Sequence, residues 1–489
     1  MIGPYGPPEP PNRWRTLDRD LKRLGRLEVA SAYVSRPLIA GAIAVVFVLL
    51  AGGAAVAVGG RSDIAVLAVA AVLAGYMALN IGANDIGNTM GPAVGARAIG
   101  LGAALFAAAV AEGAGALISG REVVATISGK LIPLEGLSDP RQIVPVMIAA
   151  LAAASLWINL AGWLRAPVST THAIVGAVAG AGVCAVGPEA VNWPQIGGIA
   201  VGWVLSPLLG GGLAAGFLAL VNALIADRED KIVAAQRWLP VLIGVMVAVF
   251  GVYVFVRALP ALSVPAAFLP GISLILGGLA WLIARPVVRR AAIGLENRRR
   301  SLRRLFGPSL VMASLLLCFA HGSNDVSNAI GPLVAIVEAL GQEQTQAGGP
   351  VWTILLGATG LSVGLVVFGA RLIRIVGSEI TRLNPVRSWC VALSTAMTVL
   401  MASAAGLPVS STHIAVGGVF GVGFYREWQS RRAGPPRDSA AAPPEVARRR
   451  RLVRRSHVLT ILAAWIVTVP LCAAFAGLIY ALARLSGLV

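Results

Sequence analysis

Gly82-Ala83-Asn84-Asp85-Ile86-Gly87-Asn88 places a carboxylate and two side-chain amides inside an apolar run, and the pattern returns as Gly322-Ser323-Asn324-Asp325-Val326-Ser327-Asn328. A second signature is also doubled: Pro167-Val168-Ser169-Thr170-Thr171-His172 and Pro408-Val409-Ser410-Ser411-Thr412-His413. The order of the two signatures and their near-equal separation mark an internal duplication. Gly91-Pro92 is matched by Gly331-Pro332, and Gly115 and Gly120 by Gly364 and Gly369.

The 489 residues are 57% hydrophobic and only 13% charged, with a mean hydropathy of +0.79. So little charge excludes a soluble domain of this size and places most of the chain in lipid. The net charge of +18 does not point to nucleic acid, because the arginines sit in segments between apolar runs. Cys184, Cys318, Cys390 and Cys472 lie singly in apolar runs, where they are read as buried inert thiols; their spacing supports neither a metal cluster nor a disulfide framework.

The apolar runs predict an all-α polytopic protein with about 12–13 membrane helices plus re-entrant or broken segments. Residues 1–35 form a basic lead, with a short amphipathic helix at 17–28, and 36–60 an extra first span. The first repeat covers 61–190, including a segment at 120–141 too polar to cross simply. Three connecting spans fill 191–284, followed by a basic loop at 285–304. The second repeat covers 305–425, a basic disordered segment 426–456, and a last span 457–489. With the basic segments on the cytoplasmic side of the cell membrane, the N-terminus is inside and the C-terminus outside. The two repeats then enter the membrane from opposite faces, an inverted-topology arrangement with its solute site at the midplane.

The chemistry of the signatures follows from their residue types. A carboxylate in mid-membrane costs about 3 kcal/mol on insertion scales and calls for a partner or a wet cavity. Asn84 and Asn88 share a helix face beside Asp85, and Asn324 and Asn328 do the same beside Asp325. Glycines at 82, 87 and 91 permit either close backbone approach or a break in the helix, and a break would free carbonyls for Na+. Pro167 and Pro408 read as helix starters, followed by the hydroxyls of Ser169, Thr170, Thr171, Ser410, Ser411 and Thr412. A helix N-terminus flanked by hydroxyls suits an oxyanion. Two aspartates beside an anion repel it unless a cation or proton is present, so the reading is cation-coupled symport with Na+ or H+. His172 and His413 are assigned to capping or packing. His321 has no counterpart in the first signature and ranks below the paired residues; Glu112 aligns with Leu361, which argues against a symmetric role.

GANDIGN and GSNDVSN, with PVSTTH and PVSSTH, resemble the paired signatures of the PiT inorganic phosphate transporter family. The resemblance covers 64–186 and 305–424. It implies a phosphate symporter that works as a homodimer in lipid and has no cofactor beyond the coupling ion. It implies phosphate contacts from Asp85, Ser169, Thr170, Thr171, Asp325, Ser410, Ser411 and Thr412. Coupling-cation contacts fall to Asn84, Asp85, Asn88, Asn324, Asp325 and Asn328. Gly87, Ser323 and Ser327 stand where the family usually has alanine, and Thr89 departs too. Two alternatives remain at this level: symport of another oxyanion such as sulfate, and a membrane enzyme using Asp85 and Asp325. Catalytic use is disfavoured because the motifs are symmetric and amide-rich.

Overall fold

The computed structural model describes residues 38–57, 63–134, 137–164, 168–258, 265–341, 349–375, 384–432 and 455–487. Residues 1–47 and 48–489 form two separate units. The basic lead, its amphipathic helix and most of 426–456 lie outside the described residues.

Helix α1 spans Leu38–Ala57. The second unit continues with α2 (Ile64–Gly95), α3 (Leu101–Ser119), the short α4 (Arg121–Ala125), α5 (Ile143–Leu164), α6 (Thr170–Val186), α7 (Trp193–Val221), α8 (Lys231–Ala258) and α9 (Leu269–Ala292). Then come the single turn α10 (Leu302–Leu305), α11 (Gly307–Ala339), α12 (Val351–Ile375), α13 (Pro385–Ala404), α14 (Ser411–Arg432) and α15 (Arg455–Leu485). The regular structure among the described residues is entirely helical, and ten of these helices are long and apolar enough to cross a membrane. This is a multi-pass membrane protein.

α11 and α14 are not among the ten, although both are long. α11 is buried along nearly its whole length against α2, α3, α12 and α13. A helix wrapped in protein meets little lipid, so its sequence is free to carry His321, Asn324, Asp325 and Asn328.

One open alternative is decided and two sequence expectations are corrected. Neither signature breaks its helix: α2 and α11 run without interruption through 82–91 and 322–331. The segment 285–304 is not all loop, because α9 continues to Ala292 and carries Arg285, Arg289 and Arg290. Cys184 is exposed, while the other three free cysteines are buried. The polar stretch after α3 folds in as α4 and a π-helical turn at Thr126–Lys130, packed on α11, with Ile127, Leu131 and Ile132 fully buried.

The signature glycines serve close approach. A Cβ on Gly82 would sit 2.0 Å from the Leu361 carbonyl oxygen of α12, and one on Gly322 would sit 1.9 Å from the Glu112 carbonyl oxygen of α3. Helix α2 therefore crosses the second helix of the other half, and α11 crosses the second helix of the first. Gly115 against Phe319 and Gly364 against Leu79 repeat the same exchange one turn away. A further matched pair sets Gly176 of α6 on Val469 of α15 and Gly417 of α14 on Pro207 of α7.

Helix α8 lies between the repeats and clasps both. Phe250 meets Phe319 edge-on at 5.1 Å, Tyr253 Oη lies 2.5 Å from Ser119 Oγ, and Arg257 pairs with Glu122. Trp389, 1% exposed, packs edge-on to Phe306 at 5.7 Å and near Phe217 at 6.0 Å. Trp389→Ala is expected to destabilise the fold by about 3–5 kcal/mol, as large core truncations do, read as a lowered melting temperature in detergent.

Candidate functional site

The two unbroken helices bring their aspartates together. Asp85 and Asp325 are 6% and 1% exposed, and His321 stands between them. His321 Nε2 lies 3.3 Å from Asp85 Oδ2 and 3.0 Å from Asp325 Oδ2, while Nδ1 contacts the Glu112 carboxylate of α3. One imidazole thus faces three carboxylates. If all three carboxylates were ionised, even a protonated ring would leave the cluster net negative, so it calls for a bound cation or a shared proton. One ligand atom from each of Asp85, His321 and Asp325 fits within a 4.8 Å spread, a cation-sized group of donors. Asp325 Oδ1 and Asn328 Oδ1 are buried acceptors with no hydrogen-bond partner among the described residues, and such atoms call for a donor or a cation.

The hydroxyl signatures lie where helices begin. Ser169 caps α6, accepting from His172 N at 3.2 Å, and Ser410 accepts from His413 N at 3.4 Å just before α14. Pro408 does not start its helix: it lies in the irregular stretch before the cap, and Pro167 lies outside the described residues. Each cap satisfies one first-turn N–H of its helix, that of His172 or His413. Thr171 Oγ1 donates to the Val409 carbonyl at 3.1 Å, and the His172 and His413 rings are 4.7 Å apart. The two helix N-termini therefore meet, as packing of the two histidines requires, with Trp203 against His172 at 3.8 Å.

The signatures are exchanged between the halves. Thr412 donates to Asp85 Oδ1 at 2.8 Å and accepts from Asn88 Nδ2 at 3.0 Å. In the mirror pair, Asn328 Nδ2 donates to Thr171 Oγ1 at 3.1 Å and to Thr170 Oγ1 at 3.3 Å. Ser411 is buried at the start of α14. The two asparagines that precede the aspartates differ. Asn324 donates to Ser403 Oγ at 3.0 Å and to the Leu407 carbonyl at 3.1 Å, and it accepts from Val409 N at 3.1 Å. Its polar atoms hold the linker into α14. Asn84 is half-buried and faces Gly162 of α5.

His321 and Glu112 are the members of this candidate site that sequence reasoning ranks too low. Ile81 and Leu361 stand at their symmetric positions, which in sequence argues against them, yet the structure sets His321 between the aspartates and Glu112 against His321. The available signal was Glu112 itself, a carboxylate in the otherwise uncharged run of α3.

Two exchanged helical repeats, with buried aspartates beside two capped helix N-termini at their contact, define a polytopic membrane transporter. The model of the phosphate transporter family matches residues 81–476. The chain belongs to that family. It is 43% identical over 415 residues to a Helicobacter pylori (strain J99) protein named "Putative phosphate permease", covering 83% of this chain and 78% of that one. A Pyrococcus abyssi relative, also named as a phosphate permease, is 33% identical over 407 residues, with 83% of this chain and 94% of that one covered. Among solved structures, "The sodium-dependent phosphate transporter" superposes with a TM-score of 0.76 at 31% identity, over 86% of this chain and 99% of that one.

Proposed function

We propose that this transporter moves inorganic phosphate inward with Na+, by alternating access at the contact of the two repeats. The observation that carries the reading is the pairing of a carboxylate-rich buried cluster with two facing helix N-termini. Asp85, Asp325 and Asn328 present oxygens that suit a cation, with Asn88 beside them. The first-turn N–H groups of α6 and α14, with the hydroxyls of Thr170, Thr171, Ser411 and Thr412, suit a tetrahedral oxyanion. A bound cation offsets the repulsion between aspartate and anion, so neither solute is well held without the other. Ser169 and Ser410 shape the helix entrances, and Asn324 fixes the linker before α14. Na+ is supported by the name of the solved relative. The same reading includes a homodimer and a cytoplasmic N-terminus, which rest on the family resemblance and on the placement of basic segments.

The test is labelled-phosphate uptake into proteoliposomes, with Na+ and proton gradients imposed separately. Accumulation under the Na+ gradient alone is expected. Transport of sulfate without phosphate overturns the solute assignment, and equilibration without accumulation overturns coupling.

The contact of His321 with Glu112 and both aspartates favours one second reading, in which a proton on this cluster is the coupling ion. His321→Gln separates the two. Under Na+ coupling the variant still concentrates phosphate, at a rate lowered about ten-fold by loss of a charged hydrogen-bond partner. Under proton coupling it still exchanges phosphate across the membrane but no longer concentrates it.

A further inference from the structure

Three arginines gather at one end of the second unit, away from the aspartates. Arg303 lies on α10, Arg387 in the first turn of α13 and Arg426 towards the end of α14, and both α10 and α14 pack on α13. Arg303 and Arg426 are near enough to Arg387 for their charges to oppose its own. Arg387 and Arg426 are half-buried. Nearby Arg298 and Arg299 are neutralised by Glu296 at 2.9 Å and Asp227 at 2.5 Å. Among the described residues, no carboxylate pairs with Arg303, Arg387 or Arg426 in the same way.

The backbone adds to this positive field. Arg387 follows Pro385 at the N-terminal end of α13, where the helix dipole is positive and a cation is misplaced. The start of α11 reaches the same place, since Phe306 packs on Trp389. In the first turns of these two helices, Ser309 and Ser388 are each 1% exposed, and their hydroxyls have no hydrogen-bond partner among the described residues. Like charges, two helix N-termini and idle buried hydroxyls are an arrangement that an anion stabilises. Arginine forks match phosphate oxygens better than they match any monodentate anion.

The level of the cluster in the bundle bears on what reaches it. Arg237 lies over Trp238 at 5.6 Å, Arg285 over Trp281 at 5.3 Å and Arg432 over Trp428 at 4.2 Å. The first pair lies near the start of α8, the second in the second half of α9 and the third at the end of α14, and aromatic–cationic pairs of this kind are common at headgroup depth.

We propose that Arg303, Arg387 and Arg426 form a second anion site that binds a phosphate group, supplied either by an anionic phospholipid headgroup or by free inorganic phosphate. It is distinct from the Asp85–Asp325 site and does not depend on the coupling ion assigned there.

The test compares the full-length protein with the R303Q/R387Q/R426Q variant. Melting temperature is followed in phosphatidylcholine micelles while phosphatidylglycerol or inorganic phosphate is titrated in separate arms. A lipid-supplied site makes phosphatidylglycerol stabilise the parent and weakens that apparent affinity about ten-fold or more in the variant, the loss expected for charge-assisted contacts. A site for free phosphate shifts the inorganic phosphate arm between parent and variant and leaves the lipid arm unchanged. Identical titrations of parent and variant in both arms overturn the proposal. R303K/R387K/R426K keeps the charge and is expected to retain part of the effect, which a merely structural role for the guanidinium groups would not show. Should the triple glutamine variant fail to fold, R303Q alone, on an exposed residue, is read by the same outcomes.

Discussion

An Asp325→Asn protein is expected to insert and fold, and to take up phosphate about a hundred-fold more slowly than the parent. The substitution keeps the shape of a side chain that is 1% exposed and removes a negative charge where the proposed cation binds. It also turns the charged contact with His321 at 3.0 Å into a neutral one. Loss of a charge-assisted bond and of a cation ligand together is worth about 3 kcal/mol, which is the hundred-fold. Asp85→Asn is expected to fall nearly as far. Its amide oxygen still accepts from Thr412, so the link between the halves survives while the charge does not. Initial uptake rates at matched protein density, with melting temperatures alongside, make the measurement. Uptake by Asp325→Asn within about three-fold of the parent would remove this carboxylate from the transport step.

The largest structural effect is expected from Gly322→Ala. The new methyl group would lie 1.9 Å from a backbone oxygen, not from a side chain able to swing away. The helices must separate, and overpacking of this kind costs about 1–3 kcal/mol or more. The displaced residue, Glu112, is also the one that contacts His321. Gly322→Ala should therefore lower the melting temperature and abolish uptake together. Gly271→Ala, at a position with open space around it, is the matched control expected to do neither. A folded, active Gly322→Ala protein would mean that α3 and α11 slide past one another freely.

Much of this architecture is legible in residue order. The duplicated signatures, the hydroxyls at the starts of α6 and α14, and the apolar runs depend on local pattern alone. What was not legible is contact between segments far apart in the chain. Whether Gly82 and Gly322 break a helix or admit a neighbour depends on Leu361 and Glu112, and no periodicity within α2 or α11 names them. The role of Asn324 in holding the 407–409 linker is hidden for the same reason. Symmetry is a poor guide to His321, which has no counterpart in the first signature. Two equal halves can place a singular residue near their common axis, where it serves both. Hydropathy, in turn, underrates α11 because it reports contact with lipid, and α11 touches mostly protein.

The exchange of partners between the halves also governs how the molecule is made. When α2 and α6 leave the ribosome, Asp85, Asn88 and Thr171 have no mates within reach: Thr412, Asn328 and the carbonyl of Val409 have yet to be synthesised. Each orphaned polar group held in lipid costs about 1–3 kcal/mol. The first half is thus an unfinished, costly intermediate, and the proposed transport site is complete only with the arrival of α14. A chain halted before that point leaves the polar groups of its first signatures without the partners that the finished protein supplies.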